Sequence, residues 1–144
     1  MRGAAILFVL VAACGGQTAK PQGIRVPEAR SCGERPPALT NVSVRNWGGD
    51  CVQAAREAEE SLEQAAADGR RMNDAILAEC LDSKRAEVHT VREVMARDIG
   101  VVGKPGPLEL DAQLIERRYD RIQRLVDEAL ECSSGAVAGV DAAH

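Results

Sequence analysis

The chain has 144 residues, 45% apolar and 28% charged, with a formal net charge of −4. That length allows one domain at most, and the acidity argues against nucleic acid, whose phosphates select basic faces. Phe8, Trp47 and Tyr119 are the only aromatics and there are two histidines, so a core must be built from Ala, Leu, Val and Ile, and neither His-based catalysis nor a multi-His metal site is expected.

The N-terminus carries the strongest signal. Arg2 precedes an unbroken apolar run from Ala4 to Ala13, about half the ~20 residues a membrane-crossing helix needs. It reads as a cleavable secretory signal covering residues 1–13. The run ends in Val11-Ala12-Ala13-Cys14, which resembles the lipobox of bacterial lipoprotein precursors: an aliphatic residue, two small residues, then cysteine. The resemblance implies that Cys14 is acylated (diacylglyceryl plus a palmitate-type chain) and becomes the first residue of the mature protein. Several acyl chains hold a protein on a membrane where one does not. Gly15 stands where Asp would specify inner-membrane retention, which implies the outer membrane, facing the periplasm or the cell surface.

Residues 14–49 are rich in Pro, Gly, Arg and Ser, with Pro21, Pro27, Pro36 and Pro37. They read as an extended tether of net charge +3 (five basic residues against two acidic). Gly48-Gly49 then breaks the chain, and Asp50-Cys51-Val52-Gln53 fits a capping box opening a helix. Cys51, Ala55, Ala58, Leu62 and Ala65 form its seam, and Asp68-Gly69 is the expected stop.

A second helix is expected from about Met72 to Ile99. Its stripe is Leu77, Leu81, Lys84, Val88, Val91 and Met95, widened by Ile76 and Cys80. The segment Gly100 to Pro107 breaks the pattern, and Pro107 suits a first helical position with Glu109 and Asp111 at the positive end of the dipole. The third stripe is Leu108, Ala112, Ile115, Tyr119, Ile122, Val126 and Ala129, with Leu125 beside it. Residues 133–144 read as a frayed tail. The expected fold is all-α: an up-down-up three-helix bundle over residues 50–132, dominated by the long hairpin of helices two and three, with a shorter first helix. This body carries 19 acidic residues against 12 basic, a net −7.

Setting Cys14 aside leaves Cys32, Cys51, Cys80 and Cys132, an even number in an exported chain, so two disulfides are expected. Cys51 and Cys132 fall at opposite ends of the bundle. Folding about Gly69 sets Cys80 level with residue 58, roughly 10 Å along the axis from Cys51 and beyond bridging distance. The favoured pairing is Cys80–Cys132 with Cys32–Cys51; Cys51–Cys80 with Cys32–Cys132 is the alternative. Across the hairpin of helices two and three, the register of Cys80 with Cys132 sets Lys84, an ammonium on an apolar stripe, opposite Glu128 as a structural ion pair, the alternative being a stem that snorkels to water.

Other constellations are weak. His89 and Glu93 share a helical face without a third ligand, so no metal is expected. Gly103-Lys104-Pro105 lacks the Ser or Thr and the spacing of a phosphate loop. The acidic cluster Glu57, Glu59, Glu60 and Glu63 and the basic strip Arg117, Arg118, Arg121 and Arg124 read as solvated or internally paired faces. Trp47 is a candidate partner contact or a cap on the open end of the bundle. The segment Cys80-Leu81-Asp82-Ser83-Lys84 with Glu131-Cys132 resembles small helical, cysteine-bearing bacterial envelope proteins, which favours the Cys80–Cys132 bridge and implies no activity.

The chain therefore reads as a non-enzymatic, lipid-anchored structural or protein-binding component of the envelope. It needs no cofactor and contacts membrane lipid through Cys14 and an envelope protein through its body. A self-assembling coiled-coil spacer and a helical inhibitor of an envelope enzyme are the alternatives.

Overall fold

In the computed structural model, which describes residues 24–134 apart from Pro27, the first helix starts earlier than the glycines suggest. Thr40 is its N-cap: Thr40 Oγ1 accepts from Ser43 N–H at 3.0 Å, and Ser43 Oγ accepts from Thr40 N–H at 2.9 Å. Two orphan donors are thereby satisfied reciprocally. Helix α1 runs Asn41–Arg71, α2 Ala75–Gly100 and α3 Leu108–Ser134. Antiparallel α1 and α2 form the most extensive interface, and α1 and α3 the least. The all-α, up-down-up bundle is as expected, but α1 is the longest helix rather than the shortest.

Gly48-Gly49 is thus no breaker, and Asp50 to Gln53 lies inside α1. Each glycine costs roughly 1 kcal/mol relative to Ala in a helix, and packing outweighs that here. Val44, Trp47 and Cys51, one to two turns apart, are all buried. Gly48 itself is a point of close approach: a Cβ there would stand 2.8 Å from Ile99 Cγ1 and 3.1 Å from Ile115 Cδ1. A Cβ on Gly49 would meet nothing. Gly49→Ala is therefore expected to raise stability by about 1 kcal/mol, while Gly48→Ala, which forces Ile99 to move, gains less or loses. Urea midpoints of the two variants measure the difference.

Gly69 is likewise not the helix stop. It lies buried within the last turn of α1, and a Cβ there would be 3.3 Å from Ala78 N, so glycine lets the two backbones close up. The reversal falls at Met72 to Asp74. Asn73 takes a left-handed conformation, φ 58°, which Asn tolerates. Asp74 then caps α2 by accepting from Leu77 N–H at 3.0 Å.

The three stripes meet as the periodicity requires. Leu62, Leu81, Met95, Ile115, Ile122, Leu125 and Val126 are at most 1% exposed, and Ala54, Ala55, Ala65, Ala66, Ala112 and Ala129 fill the gaps between helices. Ala-rich contacts allow short interaxial distances, which offsets the scarcity of rings. Ile76 departs from expectation: it does not widen the α2 stripe but stands 83% exposed. At the other end, Gly103 N–H donates to Asp111 Oδ2 at 2.8 Å and Arg45 donates to Val102 O at 3.3 Å, tying the α2–α3 loop to both neighbouring helices.

Candidate functional site: the strap on the α1–α3 seam

Residues 24–26 and 28–39, expected to be tether, lie against the body. Val26 is buried, and Ile24, Ala29, Cys32 and Leu39 pack on the core cluster. The contacts give the segment a direction. Arg35 pairs with Glu109 and approaches Glu116 near the start of α3. Gly33 O accepts from Trp47 Nε1–H at 3.4 Å. Cys32 is bridged to Cys51, and Arg30 meets Glu57 at 3.4 Å while its carbonyl accepts from Tyr119 O–H. Moving from Arg35 back to Arg30 thus climbs α1 from Trp47 to Glu57. The segment is a strap running antiparallel to α1 and covering the α1–α3 seam, the least extensive of the three helix interfaces. The tether boundary at residue 49 is corrected accordingly: residues 41–49 are helix, and the described residues before Thr40 are strap.

Both chemical handles of the strap are shielded. Trp47 is 7% exposed, so its ring serves packing and one hydrogen bond, and the partner-contact reading of this residue is corrected. Burial pushes the Tyr119 phenol above its ordinary range, and the nearby Glu57 carboxylate adds to this while Arg30 opposes it. The phenol stays protonated and donates to Arg30 O. The Arg35 hydrogen bond holds the Glu109 carboxylate below its ordinary range.

Two grooves flank the strap. One, about 360 Å³, is bordered by Arg30, Ser31, Gly33, Asp50, Gln53 and Glu57. The other, about 260 Å³, lies between Arg35, Trp47, Glu116, Tyr119, Asp120 and Gln123. Both are open and mixed in charge; the first is bordered mostly by exposed side chains, and the second has buried Trp47 and Tyr119 at its base.

The remaining predicted pairs sit in ion clusters between helices. Lys84 Nζ lies 2.6 Å from Glu128 Oε2, and Glu87 and Arg121 complete the alternating group at 3.1–3.5 Å. The Glu128 hydrogen bond raises the Lys84 pKa against partial burial, and lowers that of Glu128 itself. Between α1 and α2, Glu59 Oε1 is 2.8 Å from His89 Nδ1 and Oε2 is 2.8 Å from Arg92 Nε. Glu93 is also taken by Arg92 at 2.9 Å. The guanidinium thus occupies the space between His89 and Glu93 where a cation would have to sit. No group of three or more metal-ligating side chains occurs among the described residues.

Burial pushes the Glu59 carboxyl up, but the hydrogen bonds from Arg92 and His89 outweigh it and leave its pKa below the ordinary value. A depressed carboxylate binds protons more readily in the unfolded chain. Its contribution is therefore complete above about pH 4.3, the ordinary Glu value, and is lost as pH falls toward the folded value. Stability is expected to decline through that acid window, with Glu59→Gln flattening the decline. Urea midpoints across an acid series test this; an unchanged slope in the variant would remove Glu59 from the account.

The disulfides are Cys32–Cys51 and Cys80–Cys132, with Cα separations of 4.6 and 6.0 Å, the favoured pairing. The argument against Cys51–Cys80 holds more strongly than the expected register implied. Arg70 pairs with Asp82 and Glu59 with Arg92, so Cys80 is level with the end of α1 and not with residue 58. Cys14 lies outside the described residues, as does the tail beyond Ser134; Ser133 and Ser134 are the last residues of α3.

Strap, staples and interhelical ion pairs define a class: a disulfide-linked three-helix domain whose N-terminal segment is locked along its own length. In comparisons with protein-family models, curated proteins and solved structures, nothing matches this chain. No helix among the described residues is long and apolar enough to cross a membrane.

Proposed function

We propose that this chain is an outer-membrane lipoprotein, held by acylated Cys14, whose helical domain is a non-enzymatic structural or protein-binding component of the envelope. The observation that carries the reading is the cysteine arithmetic. Cys32–Cys51 and Cys80–Cys132 account for four of five cysteines, and such bridges belong to an oxidising compartment. The fifth is Cys14, in the lipobox-like Val11-Ala12-Ala13-Cys14 behind an apolar run. The open, mixed-charge grooves and the rigid strap suit binding better than catalysis, which needs a concave site with convergent polar groups. Stripes buried within one chain favour a single-chain domain over a self-assembling spacer.

Cys14→Ser is expected to abolish acyl labelling and move the protein from the outer-membrane fraction to the soluble periplasmic extract. Retention of the serine variant in membranes, or a wild type without acyl label, would overturn the anchor.

A further inference from the structure

We propose that the turn between α1 and α2 is the membrane-facing tip of the domain, and that Met72 and Ile76 enter the lipid interface there. The inference rests on the lipid-anchor reading and adds an orientation and a second lipid contact to it. Met72 is 51% and Ile76 83% exposed, the latter the most exposed large apolar side chain among the described residues. They flank the reversal at Asn73 and Asp74, where no other helix covers them.

The strap decides the occupant. It climbs α1 from Trp47 at Gly33 to Glu57 at Arg30, and the preceding Ala29, Val26 and Ile24 still pack on the core cluster. An extended chain that keeps this direction beyond Arg30 leaves the domain on the side of the α1–α2 turn. Ile24 lies ten positions after Cys14, a reach of at most ~35 Å. The opposite end also exposes apolar groups, at Val42, Val101, Leu110 and Leu114. It lies the length of α1 away from the turn, about 46 Å for 31 residues. An upright domain on so short a lead presents the turn to the lipid and keeps the other end in the aqueous phase.

Charge does not drive this placement. The helical body is acidic and anionic headgroups repel it, but at the tip the carboxylates of Asp68 and Asp82 are taken by Arg71 and Arg70, and Asp74 is spent on the helix cap. Asp74 keeps its charge as a cap, and Glu79, exposed one turn from Ile76, is in no ion pair among the described residues, so the anchor and the apolar pair, not charge, hold the tip to lipid. The Cys80–Cys132 bridge holds the end of α3 beside the first turns of α2, so the tip approaches the surface as a rigid unit.

The test uses full-length acylated protein on vesicles of phosphatidylethanolamine and phosphatidylglycerol with brominated chains. In Ile76→Trp the added indole is expected to shift to the blue and lose most of its emission to bromine. In Leu110→Trp it is expected to keep its emission, with buried Trp47 as a shared background. Met72 of the unsubstituted protein should resist peroxide oxidation on vesicles and be oxidised in the Cys14→Ser protein, with Met95 as the buried reference. Quenching at residue 110 and not at 76, or at neither position in vesicle-bound protein, overturns the tip while leaving the anchor intact. Protein that lacks the acyl group by mass and does not bind vesicles overturns both.

Discussion

Replacing both Cys80 and Cys132 by serine is expected to lower unfolding stability by about 4 kcal/mol, the loop-entropy value for a closure of this size. The bridge joins residues 52 apart in sequence, so its removal releases a large unfolded loop spanning most of α2, the connecting loop and α3. Both cysteines are only half-buried, so serine is accommodated in the folded state and the loss comes mainly from the freer unfolded chain. For a domain of about 100 residues this corresponds to a melting point lower by about 20 °C. Urea unfolding of the double variant beside the oxidised parent measures it. A change under about 1 kcal/mol would mean that the α2–α3 interface already restrains the loop, contrary to the chain-entropy account.

Removing the other bridge, as Cys32→Ser with Cys51→Ala, is expected to cost about 3 kcal/mol by the same relation, since 19 residues separate the pair. The consequences should be local. Cys51 is fully buried on α1, whereas Cys32 belongs to a strap held otherwise by Arg30, Arg35, the Trp47 indole and the Tyr119 hydroxyl. Exposed ion pairs of that kind contribute under about 1 kcal/mol each. The strap should therefore open while the helices persist, exposing the bond after Arg30 to trypsin and releasing amide protection in residues 28–39 before that of α2 and α3. Equal trypsin resistance in parent and variant would show that the packing of Val26 and Ile24 holds the strap without the disulfide.

Much of this architecture was legible in advance because it depends on period. Residues three and four apart share a helical face whatever surrounds them, so the stripes of α2 and α3 appear in the sequence nearly as they appear in the core. The pairing of Lys84 with Glu128 and the Cys80–Cys132 bridge follow from the same hairpin register. The errors arose where local preference lost to tertiary packing. Gly48-Gly49 looks like an end because glycine weakens helices. The helix passes through because Val44 and Trp47 are buried beyond it and Gly48 is where Ile99 and Ile115 need room. The Thr40–Ser43 box lies upstream of those glycines, in a stretch whose prolines suggested a linker. Ile76 belongs to the period of α2 yet faces solvent, because it sits beside the turn, beyond the reach of α3.

The sequence by itself determined the three helical periods, the apolar faces of α2 and α3 and the acidity of the helical body. Those are properties of residue type and spacing, and they survive any arrangement of the helices in space. The tertiary structure alone decided that the basic N-terminal segment is a strap, that it runs antiparallel to α1, and that Trp47 faces inward beneath it. Nothing periodic marks a single extended strand laid over a helical seam; its place comes from one disulfide, a few buried aliphatic side chains and hydrogen bonds to residues as distant as Tyr119.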